Sequence, residues 1–357
     1  LGHDVFFVEK ADYANACFDP VRNVMSDECT YGIAVGAQLL KRFDLADRWC
    51  FVDAAGSYHG MDRTAIGQVF GDADLFIDMG THGAWLEEAQ ASGRRVLIDG
   101  EPGFNQIKML QKLEAGQRLD RYDMYFTNGL NLGTARSAAP TAGLTWGHIV
   151  HPVVMDMWES VMPPAVGAPF TTLMNWQSHE PVQFRDVAYG QKDVEFQKFV
   201  GLPRLMDSPP VVAVSGPSVP IEHLRDEGWI VQSGKEVAAS YDSFRQLIAR
   251  SCGEFTVCKN VFVALRTGWF SDRSAAYLAS GRPVVMQDTG FSSHLPTGEG
   301  LFAVEDVDGA AAAMEEIQRR PEFHQMRARE IANDHFDAKI VLNRVIDAAA
   351  SRGSSTT

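Results

Sequence analysis

Short, continuously apolar runs alternate with helix-patterned segments along most of this chain, and that alternation narrows the fold more than any other feature. A strand that is apolar at every position must be covered on both faces, which a parallel sheet between two layers of helices provides. In the first part the runs fall at residues 5–8, 49–52, 75–77, 96–98 and 124–127, with helical patterns over 32–43, 84–92 and 106–114. After Pro163, Pro164 and Pro169 a second series begins. It has strands expected at 170–176, 211–215, 229–232, 261–265 and 284–287, and helices at 244–250 and 272–279. The final stretch is helical in pattern and ends in a polar tail. With 357 residues, at about 100–200 per domain, the expectation is an α/β protein of two Rossmann-like, doubly wound domains. They would span residues 1–165 and 166–335, with 336–357 as a C-terminal helix and tail.

Charge and cysteine usage remove several function classes. Thirty-two Lys+Arg against 46 Asp+Glu leave a formal net charge of −14. Proteins that live on nucleic acid carry a basic footprint, so no nucleic-acid partner is expected. No apolar run approaches the roughly 18–20 residues that span a bilayer, so no transmembrane segment is expected. Cys17, Cys29, Cys50, Cys252 and Cys258 are odd in number and lack metal-type spacing, which suits a reducing cytoplasm. His148 and His151 stand three apart without an evident third ligand and read as packing residues, and no metal is expected. A P-loop, a G-x-S-x-G elbow and an H-E-x-x-H helix are all missing, so NTPase, α/β-hydrolase and zincin readings have no support. The chain starts Leu1-Gly2-His3 and runs at once into an apolar stretch. That start reads as cut away, with a strand and glycine loop expected upstream.

Residues 266–291, RTGWFSDRSAAYLASGRPVVMQDTGF, carry the most functional information. They read as glycine turn, helix, glycine stop, strand, glycine turn. Ser271 or Asp272 is placed to cap the helix, Gly281 stands where a helix-terminating glycine is expected, and Pro283 forbids continuation. The free N–H groups at such a helix start attract anions, and Arg273 lies in its first turn. Around it, residues 244–287 hold six basic side chains (Arg245, Arg250, Lys259, Arg266, Arg273, Arg282) and two acidic ones (Glu254, Asp272). A local positive excess inside an acidic protein suits a small anion; a basic helix face balanced elsewhere in the fold is the plainer alternative.

The stretch resembles the donor-binding region of glycosyltransferases of the two-domain GT-B fold. The matching residues are Ala279-Ser280-Gly281-Arg282-Pro283-Val284-Val285 and Asp288-Thr289-Gly290, followed by residues 295–301 and a helical tail with Arg327, Arg329 and Phe336. More narrowly, the chain looks like a bacterial branch of that superfamily, glycosyltransferase family 1/4-like. Its phrases appear here as DGEPGFNQ at 99–106, FTNG at 126–129, FTTLMNWQ at 170–177, YGQK at 189–192 and GWFSDR at 268–273. The resemblance covers residues 1–347 and implies two Rossmann-like domains facing a cleft. It also implies metal-independent transfer of a sugar from a nucleotide-diphosphate sugar to a hydroxyl acceptor, a small molecule or a glycan. One departure stands out. Retaining members carry two glutamates eight positions apart, and the matching places here are Gly268 and Ala276. A catalytically inactive nucleotide-binding or regulatory protein, and a nucleotide-sugar epimerase of the same fold, are therefore kept as alternatives.

The leaving diphosphate needs cations or fixed N–H donors. Lys192 stands where the superfamily keeps a phosphate-binding lysine, and Lys259 and Arg273 are the other candidates. Ser215 and Gly216 close an apolar strand, where small residues let a ligand approach the backbone. Asp288, Thr289, Gly290 and Phe291 are expected over the donor sugar, with Asp288 accepting from sugar hydroxyls and Gly290 offering its N–H. Ser271 belongs with the helix start, and Asp272 or Glu299 would replace the missing ribose-binding glutamate. In the first domain His82 follows a strand and could act as general base, with Glu101 as the carboxylate alternative. Asn128 and Asn131 could line the same region, and Trp269 beside the donor loop is the one tryptophan that could stack on a sugar.

Overall fold

A computed structural model describes residues 1–11, 13–22, 24–80, 83–158 and 164–351. The chain separates into two compact units, one of residues 1–98 with 120–124 and one of residues 99–119 with 125–357. This division falls earlier than residue 165 because residues 125–158 bond to the later chain. Val153 N donates to Phe336 O at 2.7 Å, Ala338 N donates to Val153 O at 2.9 Å, and Gly129 bridges to Trp269.

In the first unit, strand Phe7–Lys10 lies parallel to Trp49–Val52, which pairs antiparallel with Tyr58–Gly60. A second pair, Leu75–Asp78 with Arg94–Asp99, is also parallel. Its core gathers Cys50, Val52, Ile66, Phe70, Trp85 and Ala89. Helix Arg63–Asp72 starts at Asp62, whose carboxylate accepts from Ala65 N at 2.8 Å. The helix expected over 84–92 is reduced to turns and a single tight turn, Glu88–Ala91. There Ser92 Oγ donates to Ala89 O at 2.7 Å and closes the segment before a second turn can form.

The second unit is built on six parallel strands in the order Ile230–Ser233, Val211–Ser215, Phe170–Asn175, Gly253–Thr256, Val284–Gln287, Leu301–Val304. In chain order that is 3-2-1-4-5-6, the doubly wound arrangement expected from the sequence. Its strands alternate between two cores. Val284 and Met286 join Tyr277, Phe291 and Phe336 on one face, while Val285 joins Phe196, Trp229, Phe255 and Met314 on the other. Helix Asp272–Ala279 has the bounds expected from the sequence, and helices Val307–Arg319, Pro321–Ile331 and Ala338–Ser351 make up the tail.

One strand was misplaced by the sequence. Residues 261–264 lie in the short helix Asn260–Ala264, capped by Leu265, and the fourth strand is Gly253–Thr256. An apolar run of five residues suits a buried helical turn as well as a buried strand. The true strand hid its nature behind a glycine and a glutamate.

Candidate functional site

In a doubly wound sheet the ligand crevice lies at the carboxyl ends of the strands where the winding reverses. Here the reversal separates Phe170–Asn175 from Gly253–Thr256, and each side supplies a buried cation. Lys192 opens the short helix Lys192–Phe196 and is 7% exposed. Burial, reinforced by the nearby Arg273 charge, depresses its pKa to about 7. Its Nζ makes no hydrogen bond or ion pair among the described residues. Arg273, in the first turn of Asp272–Ala279, donates from Nε to Glu254 Oε1 and from Nη2 to Thr256 Oγ1, both at 2.8 Å. Burial works against the guanidinium charge, but Glu254 and Asp272 outweigh it and hold the group firmly protonated. Glu254 is fully buried on the fourth strand, so its charge has been retained for this partner.

Further polar groups of the second unit surround the pair. Lys259 Nζ donates to both oxygens of Glu101, at 2.6 and 2.7 Å. Glu101 is presented by the DGEPGFNQ loop. Buried Asp99 accepts from Asn105 Nδ2, Gln106 Nε2 and Thr127 Oγ1 at 2.7–2.8 Å, and Gly103, at φ +86°, donates to Gln106 Oε1. Burial pushes the Asp99 carboxyl up in spite of those donors. Glu195, 1% exposed, accepts from Lys198, Asn260 and Gln287. Asn128 Nδ2 lies 2.9 Å from His151 Nε2, and the His151 ring meets Trp269 edge-on. Burial lowers the His151 pKa against the pull of Asp272 and Glu101. Around these pairs Gln191 Oε1 and Nε2, Asn128 Oδ1, Glu254 Oε2 and Trp269 Nε1 are buried without a hydrogen-bond partner. Buried polar atoms are nearly always paired, so a cluster of unpaired ones marks where an external polar ligand fits.

The sequence-derived candidates divide accordingly. Lys192, Arg273, Asp272, Lys259 and Glu101 are brought together. Ser271 is buried directly before Asp272. Ser215 and Gly216 end the second strand, with Gly216 at φ +106° and its Cα side against the Trp176–Gln177 backbone, where a Cβ would meet Gln177 O at 3.1 Å. The Asp288 loop is more self-contained than expected. Gly290 N donates to Asp288 Oδ1 at 2.8 Å and Ser292 Oγ to Oδ2 at 2.9 Å, so the Gly290 N–H is already taken. Thr289 is fully buried, with Oγ1 on Trp269 O. Phe291 is a core ring packed on Phe270, not a donor contact. Glu299 precedes strand Leu301–Val304 and pairs with Arg327 at 3.1 Å, which puts it at the amino end of a parallel sheet and away from the other candidates. His82 lies outside the described residues. The sequence reading passed over Glu254, Gln191 and His151. The signal for Glu254 was a lone acid beside Phe255 in a basic stretch, and for Gln191 its place directly before Lys192.

The chain has the GT-B fold, which solved glycosyltransferases share. No protein-family model matches it, and no curated protein matches it. Among solved structures it is similar to an alpha-glucosyltransferase in complex with UDP and a 13-mer DNA, with TM-score 0.56 and 10% identity over 97% of this chain and 99% of that one. It is also similar to Anabaena HepE in complex with UDP and glucose, at 0.52 and 11% over 97% and 100%. A glycosyltransferase from Rickettsia africae gives 0.51 and 10% over 99% and 100%. No helix among the described residues is long and apolar enough to cross a membrane.

Proposed function

We propose that this protein is a glycosyltransferase that takes a nucleotide-diphosphate sugar as donor and a hydroxyl group as acceptor. The observation that carries the reading is Lys192, a buried lysine with no partner, beside Arg273 at the reversal of a doubly wound sheet. The negative charge that develops on a leaving diphosphate is what such a pair would stabilise. Arg273 is fixed by Glu254 and Thr256 and so needs little reorganisation, while Lys192 gains its charge partner only when the phosphates arrive. The unpaired Gln191 amide is placed to serve the same group. Asp272 is the carboxylate available for ribose hydroxyls, since Gly268 and Ala276 have no side-chain oxygen. Asp288 organises the sugar loop. His151, held by Asn128, and Glu101 with Lys259 border the same site. None of these steps calls for a metal.

A panel of UDP-, GDP-, ADP- and dTDP-sugars, read by melting temperature and by release of free nucleotide diphosphate, tests the proposal. One donor should raise the melting temperature and be turned over once an acceptor is present. If none binds, the reading fails. The lack of glutamates at 268 and 276 favours a second reading, a binding protein without transfer. It predicts a melting-temperature rise with no nucleotide release against any acceptor.

A further inference from the structure

In the first unit three metal-ligating side chains meet. Cys29, Asp53 and His59 each offer one ligand atom, and these atoms all lie within 4.8 Å of one another. They arrive on separate pieces of chain. Cys29 directly precedes helix Thr30–Arg42, Asp53 directly follows strand Trp49–Val52, and His59 lies on strand Tyr58–Gly60. Asp53 is firmly aimed, since Oδ1 accepts from Ala55 N at 2.9 Å and Ser57 N at 2.8 Å. Oδ2 is left against His59 Nε2 at 2.9 Å. A zinc ion roughly 2.0–2.1 Å from each of two atoms 2.9 Å apart would see them at about 90°, and opening to about 3.3 Å gives the tetrahedral angle.

We propose that Cys29, Asp53 and His59 form a binding site for a divalent transition-metal ion of the zinc type, with the fourth position open to water. One thiolate, one imidazole and one carboxylate favour a borderline cation over Mg²⁺ or Ca²⁺, which prefer oxygen alone. His59 is 33% and Asp53 16% exposed at the side chain, so an ion reaches the site from solvent. Binding releases the Cys29 thiol proton to water and moves the His59 ring proton from Nε2 to Nδ1, leaving both ligand atoms with a free lone pair. The site has a mechanical use. Helix Thr30–Arg42 buries no side chain fully, and a metal held at its start would tie it to the strands carrying Asp53 and His59. This inference does not rest on the donor site and would survive its failure.

The test uses tag-free protein stripped with a chelator. Zinc is titrated against a chromophoric competitor, and cobalt is added separately to read thiolate ligation. One equivalent of zinc should bind and raise the melting temperature, with millimolar Mg²⁺ unable to compete. Cobalt should give a sulfur-to-metal charge-transfer band. Replacing an outer-shell partner commonly costs about 10–100-fold in metal affinity, so losing a ligand in Cys29→Ser or His59→Ala should cost at least about a hundredfold. Asp53→Asn, which keeps Oδ1 for its two backbone donors, should weaken binding while leaving the circular dichroism unchanged. The proposal is overturned if the unmutated protein binds no stoichiometric zinc, if cobalt gives no thiolate band, or if Cys29→Ser binds as tightly as the parent.

Discussion

The two edges of the six-stranded sheet treat a buried charge in opposite ways. At the amino edge Arg282, 2% exposed, donates to the carbonyls of Ile248, Ala249 and Ser280 at 3.2–3.4 Å and so stoppers two helix ends. At the carboxyl edge Lys192 is almost as buried and has nothing to donate to, and Gln191 and Glu254 keep unpaired oxygens beside it. The first edge is solved for stability. The second carries a free-energy cost that a folded protein on its own does not recover. A difference of this kind separates structural from binding cations better than charge counting does, because Lys192 and Arg282 are both buried cations and only the presence of partners tells them apart.

Arg273→Ala should break the carboxyl edge most severely. It strands the Glu254 carboxylate at full burial, and removing one partner of a buried pair costs about 3–5 kcal/mol. Denaturant titration should show that loss. Arg273→Ala with Glu254→Leu should recover much of the stability and none of the nucleotide-sugar affinity. Lys192→Met comes next and has the opposite sign on stability. Truncating one partner of a buried charge pair in a complex costs about 2–5 kcal/mol, so donor affinity should fall about thirtyfold or more. The melting temperature should nonetheless rise, because an unpaired buried charge has been replaced by a matching apolar chain. Its pH dependence fixes the cause. The folded-state pKa of about 7 lies below the usual 10.5, so the cost is fully present below pH 7 and fades as pH rises toward 10.5. The melting-temperature gain of Lys192→Met should shrink over that window. Arg282→Ala should cost about 1–3 kcal/mol through the freed carbonyls and leave donor affinity unchanged. If it weakened binding, the contrast between the edges would be wrong.

Donor affinity itself should carry a pH signature. The phosphates of a nucleotide-diphosphate sugar stay ionised above pH 6, so a change in affinity between pH 7 and 9 belongs to the protein. Above its pKa Lys192 must take up a proton to meet the diphosphate. The dissociation constant should therefore rise with pH, by up to about tenfold per unit. Isothermal titration in buffers of different ionisation enthalpy should report that proton uptake, and Lys192→Met should abolish it.

Much of this was legible in the residues. Strands 211–215 and 284–287 and helix 272–279 keep their expected bounds, because an apolar run, a cap, Gly281 and Pro283 all act locally. Lys192 and Arg273 were named from their motif, and the fold places both at the carboxyl edge of the sheet. What escaped depends on pairs far apart in the chain. Glu254 made the fourth strand look like a loop, since a lone glutamate in a buried strand makes sense only once Arg273 is seen beside it. Phe291 read as part of the donor loop because nothing local says that Phe270 covers it. The Cys29, Asp53 and His59 cluster has no recognisable spacing, as its members come from a helix start, a turn and a strand. Glu299 was drawn toward the donor by its nearness in sequence to Asp288. The crossover after Asp288 returns the chain to the amino edge before the parallel strand Leu301–Val304 begins, and Glu299 lies at that end.

That last point supplies the mildest test. Glu299 pairs with Arg327 at a surface where its side chain is 52% exposed, and exposed pairs contribute about 0–1 kcal/mol. Glu299→Gln should therefore shift stability by under about 1 kcal/mol and leave nucleotide-sugar affinity within error, whereas Asp272→Asn should weaken it. Strand direction places Asp272 at the carboxyl edge, where the proposed diphosphate site lies, and Glu299 at the opposite one. Equal losses from the two variants would mean that a bound donor spans both edges, and the separation between a stabilising and a binding edge would have to be given up.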